Sequence, residues 1–375
     1  MGEKGKEEKT GKKKRKLWQK LLIVAICIVL AFVAIFAIII GILYSTEYRP
    51  NEVESIGVEC VLEDCVPSGE PISLMTYNIG YGALGDNADF FMDGGTHVNT
   101  ASRERINSNM DGIINETKNL DPDFVFYQEV DQDSHRSKHI NEELELEVAF
   151  PEYETAFAYN FRVWFIPYPI PPIGKVDAGI LTMSRYEIAA AERIQLPCPF
   201  TGIERLGNLK RCLLVSHVPV EDSDKELVLV NLHLEAYDSG EGKIAQTAML
   251  REVLQEEYEK GNYVIAGGDF NQTFSNVDTS AYPTYPDRWQ PGVIDVNDLP
   301  EGWQYVMDNH TPTCRSLDQP YVDADPKTFQ YYMIDGFILS PNVKLLDVQT
   351  QNLQFVCADH NPVLMQVELI EEDED

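Results

Sequence analysis

The spacing of apolar positions changes several times along the chain, and each change marks an element. Residues 21–43 form an unbroken run of 23 without a charge. At about 1.5 Å per residue, a helix of that length crosses a hydrocarbon core of about 30 Å. Alternation begins at Ile72-Ser73-Leu74-Met75-Thr76-Tyr77-Asn78, a half-buried strand that Ile79-Gly80-Tyr81-Gly82 breaks. In residues 102–120, Ile106, Met110, Ile113, Ile114 and Leu120 recur at helical spacing, and Asp121-Pro122-Asp123 ends the helix. Residues 124–128 are a strand closed by Glu129, and residues 131–151 are charged, without a clear period.

Strands follow at 179–184, 188–196, 211–218 and 227–233. A second amphipathic helix spans 243–258, with Ile244, Thr247, Ala248, Leu254 and Tyr258 as its apolar face. A buried strand then runs into Ala266-Gly267-Gly268-Asp269-Phe270-Asn271, where two glycines permit a tight turn or the close approach of a ligand. A Pro- and Asp-rich connection leads to about Lys327, and the last strands are 332–339, 343–351 and 362–369. Two helices lie between strands, while most other strands follow one another by short turns. That order predicts an α+β fold of two packed, mostly antiparallel sheets with outer helices, in one domain over residues 71–370. No internal repeat is visible.

Charge places the chain. The net charge of 375 residues is -31, but residues 1–20 hold nine Lys or Arg against three Glu, a net +6, which leaves -37 on the rest. So acidic a body is a poor binder of bulk nucleic acid, whose phosphates reward positive charge. Lys12-Lys13-Lys14-Arg15-Lys16 and Lys20 precede the apolar run, and Arg49 alone stands close after it. The expectation is a single-pass signal-anchor in the plasma membrane. A basic tail (1–20) is cytoplasmic, an acidic stalk (44–70) follows the span, and the body is extracellular. A cleaved signal peptide has a shorter apolar region ending in small residues, which Tyr44-Ser45-Thr46 does not supply. Residues 371–375 read as a solvated acidic tail. An outside location permits disulfides. Cys60 with Cys65 is the local candidate, and Cys198, Cys212, Cys314 and Cys357 read as buried thiols.

Polar residues recur at the strand ends: Asn78, Glu129, His233, Asp269 with Asn271, Asp335, and Asp359-His360. Taken singly, most are ordinary turn residues. Asp335 lies within an apolar strand, where a buried carboxylate needs a partner. An acid and an amide one residue apart, as in Asp269 and Asn271, suit a metal-assisted or phosphate site.

The ordered set resembles the endonuclease/exonuclease/phosphatase superfamily, the fold of pancreatic deoxyribonuclease and bacterial sphingomyelinases. It stands here as Thr76-Tyr77-Asn78, Gln128-Glu129, Ala178-Gly179-Ile180-Leu181-Thr182-Met183-Ser184, Asn231-Leu232-His233, Gly268-Asp269-Phe270-Asn271, Ile334-Asp335 and Ala358-Asp359-His360. The resemblance runs from about Leu74 to Leu369 and implies a four-layer α/β sandwich. By the same resemblance, Glu129 is the principal ligand of a catalytic divalent metal, with Asn78 and Asp359 in support. Oxygen donors imply Mg²⁺, with Mn²⁺ or Ca²⁺ as alternatives. His360 resembles the general base and Asp335 its orienting carboxylate. Asp269 and Asn271 would position water and phosphoryl oxygen, and His233 would donate to a non-bridging oxygen. The family often has Ser where Ala358 stands; the lost hydroxyl is not a reacting group.

The resemblance implies a metal-dependent phosphohydrolase acting on a phosphodiester or a phospholipid head group. A nuclease and an inactive binding module on the same fold are the alternatives. The aromatic, proline-rich stretch 159–173 reads as a substrate-facing loop, with Arg162, Trp164 and Lys175 as candidate substrate contacts. Nothing in the sequence points to a protein partner.

Overall fold

The computed structural model describes residues 4–58, 61–238 and 240–370. The expected Cys60–Cys65 pairing, the acidic tail and the first three residues of the basic tail therefore lie outside the described residues. Two units are distinguished, Met1–Glu47 and Tyr48–Asp375. The first is helix α1 (Lys4–Ser45), whose stretch Lys16–Ser45 is long and apolar enough to cross a membrane. No other helix among the described residues is.

The second unit runs β1 (Val53–Ile56), β2 (Pro71–Asn78), α2 (Arg103–Leu120), β3 (Phe124–Asp131), α3 (Glu142–Ala149), β4 (Glu154–Ile166), β5 (Gly174–Ser184) and β6 (Ala190–Gln195). It continues with α4 (Gly202–Leu206), β7 (Cys212–Pro219), β8 (Glu226–His233), α5 (Glu241–Glu259) and β9 (Tyr263–Asp269). The short strands β10 (Gln272–Phe274), β11 (Gly292–Ile294), β12 (Gln304–Val306), β13 (Cys314–Arg315) and β14 (Tyr331–Tyr332) precede β15 (Asp335–Leu339), β16 (Val343–Thr350) and β17 (Val363–Leu369).

Two large sheets result, ordered β16-β17-β2-β3-β5-β4 and β1-β6-β7-β8-β9-β15-β12. Each has one parallel pair, β2 with β3 and β8 with β9. A parallel pair needs a crossover, and α2 and α5 supply the two. The expected α+β architecture is present, with helices flanking paired sheets. Helix α2 starts where the Ser102 hydroxyl accepts from Arg105 N at 3.2 Å. It stops at Asp121, left-handed at φ 50°, just before Pro122. Its Ile106, Met110 and Ile113 pack on Met75, Tyr77, Val125 and Tyr127 of the first sheet. Leu250 and Leu254 of α5 pack on Val228, Val230, Val264 and Ala266 of the second. Thr247 and Leu254 of the expected face are buried, Ile244 is exposed, and Gln246 and Leu250 are buried beside them. Between the sheets lies a third cluster, including Leu74, Phe124, Phe126, Leu229, Ile265 and Phe337. Burying each such side chain contributes about 1.5–3 kcal/mol.

Two segments differ from the sequence reading. Residues 53–56 of the presumed stalk form edge strand β1, paired antiparallel with β6 from Val53↔Ile194 to Ile56↔Ala191. The aromatic stretch is a loop only after Ile166. Before that it belongs to β4, which pairs with β5 along most of its length.

Candidate active site

Side chains on a strand alternate, so every second residue shares a face. Leu74, Thr76 and Asn78 share the core face of β2, and Phe124, Phe126 and Gln128 that of β3. Leu227, Leu229, Asn231 and His233 do so on β8, and Ile265, Gly267 and Asp269 on β9. In each series the apolar members fill the space between the sheets and the series ends in polar residues. These ends are the carboxyl ends of the two parallel pairs, where α/β crevices form. Strand β15 runs the other way, so it contributes its first residue, Asp335, directly opposite Asp269.

A buried polar layer lies one step below. Gln128 Nε2 donates to Asn231 Oδ1 at 2.9 Å, joining the two sheets, and to Thr76 Oγ1 at 3.2 Å. Asn231 Nδ2 donates to Leu181 O at 2.9 Å and Tyr127 O at 3.3 Å. The two glycines before Asp269 serve packing rather than a turn. A Cβ at Gly267 would sit 2.5 Å from the Phe337 ring. One at Gly268, where φ is 146°, would sit 2.0 Å from Leu232 O.

Alternation alone would not aim every group. Glu129 lies in a register shift of the β3–β5 pair at φ 57°, a bulge that turns its carboxylate into the cleft. Asn271, at φ 50°, is turned likewise while Phe270 is buried under α5's sheet face. Backbone bonds from Asn361 N to Thr313 O (2.7 Å) and Arg315 N to Asp359 O (3.1 Å) tie residues 359–361 to β13.

The polar ends meet. Asp269 is the centre: its Oδ2 accepts from Asn78 Nδ2 at 3.0 Å and lies 3.5 Å from His233 Nε2 and 3.9 Å from His360 Nε2. Its Oδ1 accepts from Asn271 N at 2.9 Å. Asn78 Nδ2 also lies 3.5 Å from Glu129 Oε1. Asp335 Oδ2 and His360 Nδ1 are 2.8 Å apart. A carboxylate only accepts, so the imidazole donates there. Asp269, Asp335 and His360 each offer a ligand atom within 4.8 Å of the others. Asp359 is buried, and its Oδ1 has no hydrogen-bond partner.

Burial and neighbouring charge move these groups apart. Burial and the Asp335 charge push Asp269 up to about 7. Burial pushes Asp359 up to about 6, against the pull of His360. Burial and the Arg211 guanidinium hold His233 well below the usual histidine value, so it is neutral. Burial opposes the charged form of His360, but Asp335 and Cys314 together raise it well above the usual histidine value.

A cleft of about 580 Å³ opens over this cluster, and Glu129, His233, Asp269, Asn271, Asp359 and His360 line it. Arg162, Trp164 and Lys175 do not. Arg162 Nε pairs with Asp177 at 3.1 Å, Lys175 is held by Asp133 and Asp177, and Trp164 is exposed. Phe161 and Ile166 of the same strand face the cleft instead. Other lining residues were invisible in the sequence. Arg136 comes from the charged segment without a period; it bonds Asp131 at 2.8 Å, lies 4.0 Å from Glu129 and stacks 3.8 Å over the Tyr81 ring. Arg211 pairs with Glu235 at 3.2 Å and donates to His233 O at 3.0 Å. Asp93, raised to about 7 by burial, accepts from Tyr237 Oη at 3.1 Å. Cys314 adds a thiol beside His360.

Residues 75–332 match the model of the Endonuclease/Exonuclease/phosphatase family. Among solved structures, an endonuclease/exonuclease/phosphatase from Beutenbergia cavernae is similar at a TM-score of 0.55 and 18% identity, covering 80% of this chain and 72% of that one. ANGEL2, a 2',3'-cyclic phosphatase, aligns at a TM-score of 0.52 and 14% identity over 84% of this chain and 98% of its own. TDP2 from D. rerio, solved with a single-strand DNA product, aligns at 0.49 and 16% over 80% and 99%. A search of curated proteins gives no match. At such identities the likeness to solved structures is one of fold.

Proposed function

The chain belongs to the endonuclease/exonuclease/phosphatase family, and from that premise we propose that it is a metal-dependent phosphohydrolase. Its substrate is a phosphodiester or phospholipid head group, and it works on the outer side of a membrane that residues 21–43 cross. The observation that carries the reading is the convergence of Glu129, His233, Asp269, Asp359 and His360, from both sheets, in one cleft, with Asn78 bonded to Asp269.

The donor set fits a hard divalent cation. Asp359 Oδ1 is buried without a partner, and Glu129 faces the cleft with Arg136 no nearer than 4.0 Å. Glu129, Asp359 and Asn78 Oδ1 would hold Mg²⁺ or Mn²⁺, as oxygen ligands suit such ions. When bound, the cation supplies Lewis-acid polarisation of a phosphoryl oxygen.

The chain's own residues do the rest. Asp335 holds His360 Nδ1, so Nε2 is left to take the proton of an attacking water. Asp269, within 4 Å of that nitrogen, orients the water. Neutral His233 offers one N–H, and Asn271 has one amide hydrogen beyond that given to Leu234 O at 2.9 Å. Both donors serve equatorial oxygens as negative charge builds.

Two features of the cleft favour a small or lipid ester over a nucleic acid. Leu84, Phe90, Val98, Phe161, Ile166 and Ile173 give it an apolar wall. Every arginine that lines it is engaged: Arg136 with Asp131, Arg211 with Glu235, Arg288 with Asp318, and Arg315 with the carbonyls of Gly85 and Ser316. A polyanion is gathered by uncommitted positive charge. The test offers the full chain with Mg²⁺ plasmid DNA, RNA, sphingomyelin, phosphoinositides and small phosphate esters side by side. Faster turnover of a lipid or small ester is expected. Clean degradation of plasmid with no action on the others would make it a nuclease.

A further inference from the structure

Cys314 has no task in the hydrolysis described above, yet its thiol faces the cleft. Backbone pairing puts it there. Cys314 and His360 form an isolated β-bridge, flanked by the Asn361–Thr313 and Arg315–Asp359 bonds already described. Sulfur, an Asp359 oxygen and a His360 nitrogen lie within 4.8 Å of one another, and all three residues are buried. Each donor is open to a new partner. Asp359 Oδ1 has none, His360 Nε2 is free of Asp335, and the thiol's hydrogen bonds, to Arg315 O at 3.5 Å and to the His360 ring, are the weak ones of sulfur.

The geometry points to a binding site for a soft divalent cation, Zn²⁺, held by Cys314, Asp359 and His360, whose occupation blocks hydrolysis. One sulfur, one nitrogen and one oxygen are the ligand types of tetrahedral zinc, with bonds of about 2.0–2.3 Å and donors about 3.5 Å apart. Small side-chain rotations close the present spacing to that. The thiol binds as thiolate, so one proton leaves for solvent as the Zn–S bond forms. Thiolate selects against Mg²⁺, which prefers oxygen. The blocking effect rests on the function proposed above, because Zn²⁺ here would take the Nε2 lone pair and the Asp359 oxygen that hydrolysis needs. Binding itself does not depend on that reading.

The test uses the full chain in detergent, stripped of metal and titrated with Co²⁺ as a spectroscopic substitute for Zn²⁺. The expected result is a near-ultraviolet thiolate-to-cobalt charge-transfer band saturating at one equivalent, bleached by Zn²⁺, and absent in Cys314→Ser. In parallel, Zn²⁺ should inhibit Mg²⁺-supported turnover. C314S should keep that turnover while needing at least about tenfold more Zn²⁺ for half inhibition. No band in the parent, or a band that persists in C314S, overturns the site. Equal Zn²⁺ sensitivity of parent and variant overturns the blocking. A parent without any hydrolysis refutes the proposed function, while the cobalt band still decides the site. If the serine variant fails to fold, Cys314→Ala carries the same comparison.

Discussion

His360 donates from Nδ1 to Asp335 Oδ2 across 2.8 Å, and both residues are buried. The two are 25 residues apart in the chain and belong to different sheets' ends: Asp335 opens β15, and His360 lies just before β17. The bond fixes the ring and turns Nε2 towards Asp269.

Loss of that carboxylate should therefore cost rate, not folding. Asp335→Asn is expected to lower kcat/KM roughly 10²–10⁴-fold, the usual worth of a positioned general base, with an unchanged far-ultraviolet spectrum. Steady-state kinetics on a generic phosphodiester decides it; a near-normal rate would remove Asp335 from the orienting role.

The pH profile carries a second prediction with a definite sign. A base works unprotonated, and Asp335 holds His360 above the usual histidine value. Activity should rise with pH as that raised proton is lost. In Asp335→Asn the raising charge is gone, so the residual activity should rise at lower pH than in the parent. A limb that stays in place, or moves to higher pH, contradicts the assignment.

How much of this was legible in the chain depends on the element. Strands 72–78, 124–128 and 227–233 were visible because one face is core and the other packs under a helix, which writes a clean period of two or an apolar run. Residues 53–56 were not, because an edge strand with one exposed face, Val-Glu-Ser-Ile, reads like its acidic surroundings. Strands β10 to β14 are two or three residues long and exist only through tertiary partners. The polar ends of the strands were legible as an ordered set. Arg136 and Cys314 were not, since nothing local distinguishes them. Arg136 is placed by a turn after the Glu129 bulge, and Cys314 by pairing with residues 359–361. At Gly267 and Gly268 the contacts that exclude a side chain, the Phe337 ring and Leu232 O, lie far away in the chain and leave no local mark.

The Gln128–Asn231 bond between the sheets should be felt in stability. Asn231→Leu takes from Gln128 Nε2 its shortest bond, the one that joins the sheets, and leaves Leu181 O without its side-chain donor. Loss of buried hydrogen bonds of this kind costs about 0.5–1.5 kcal/mol each. Urea denaturation of the full chain measures this; a change below about 0.5 kcal/mol, ordinary for surface positions, would show that the layer is not structural.

Membrane topology gives a fourth prediction. Protease added to intact cells should digest the body and spare the basic residues 1–20. Protection of the body would reverse the proposed orientation.

The central claim is that one cleft performs metal-dependent hydrolysis of a phosphate ester. Its most direct test is turnover of bis-p-nitrophenyl phosphate by the full chain, with and without EDTA, beside His360→Ala, Asp269→Ala and Glu129→Gln. The account predicts hydrolysis with Mg²⁺ or Mn²⁺, its loss in chelator and its return on adding metal. It predicts a fall of about 10²-fold or more in the first two variants and a raised metal requirement in the third. Full activity in EDTA, or near-normal rates in all three variants, would contradict it.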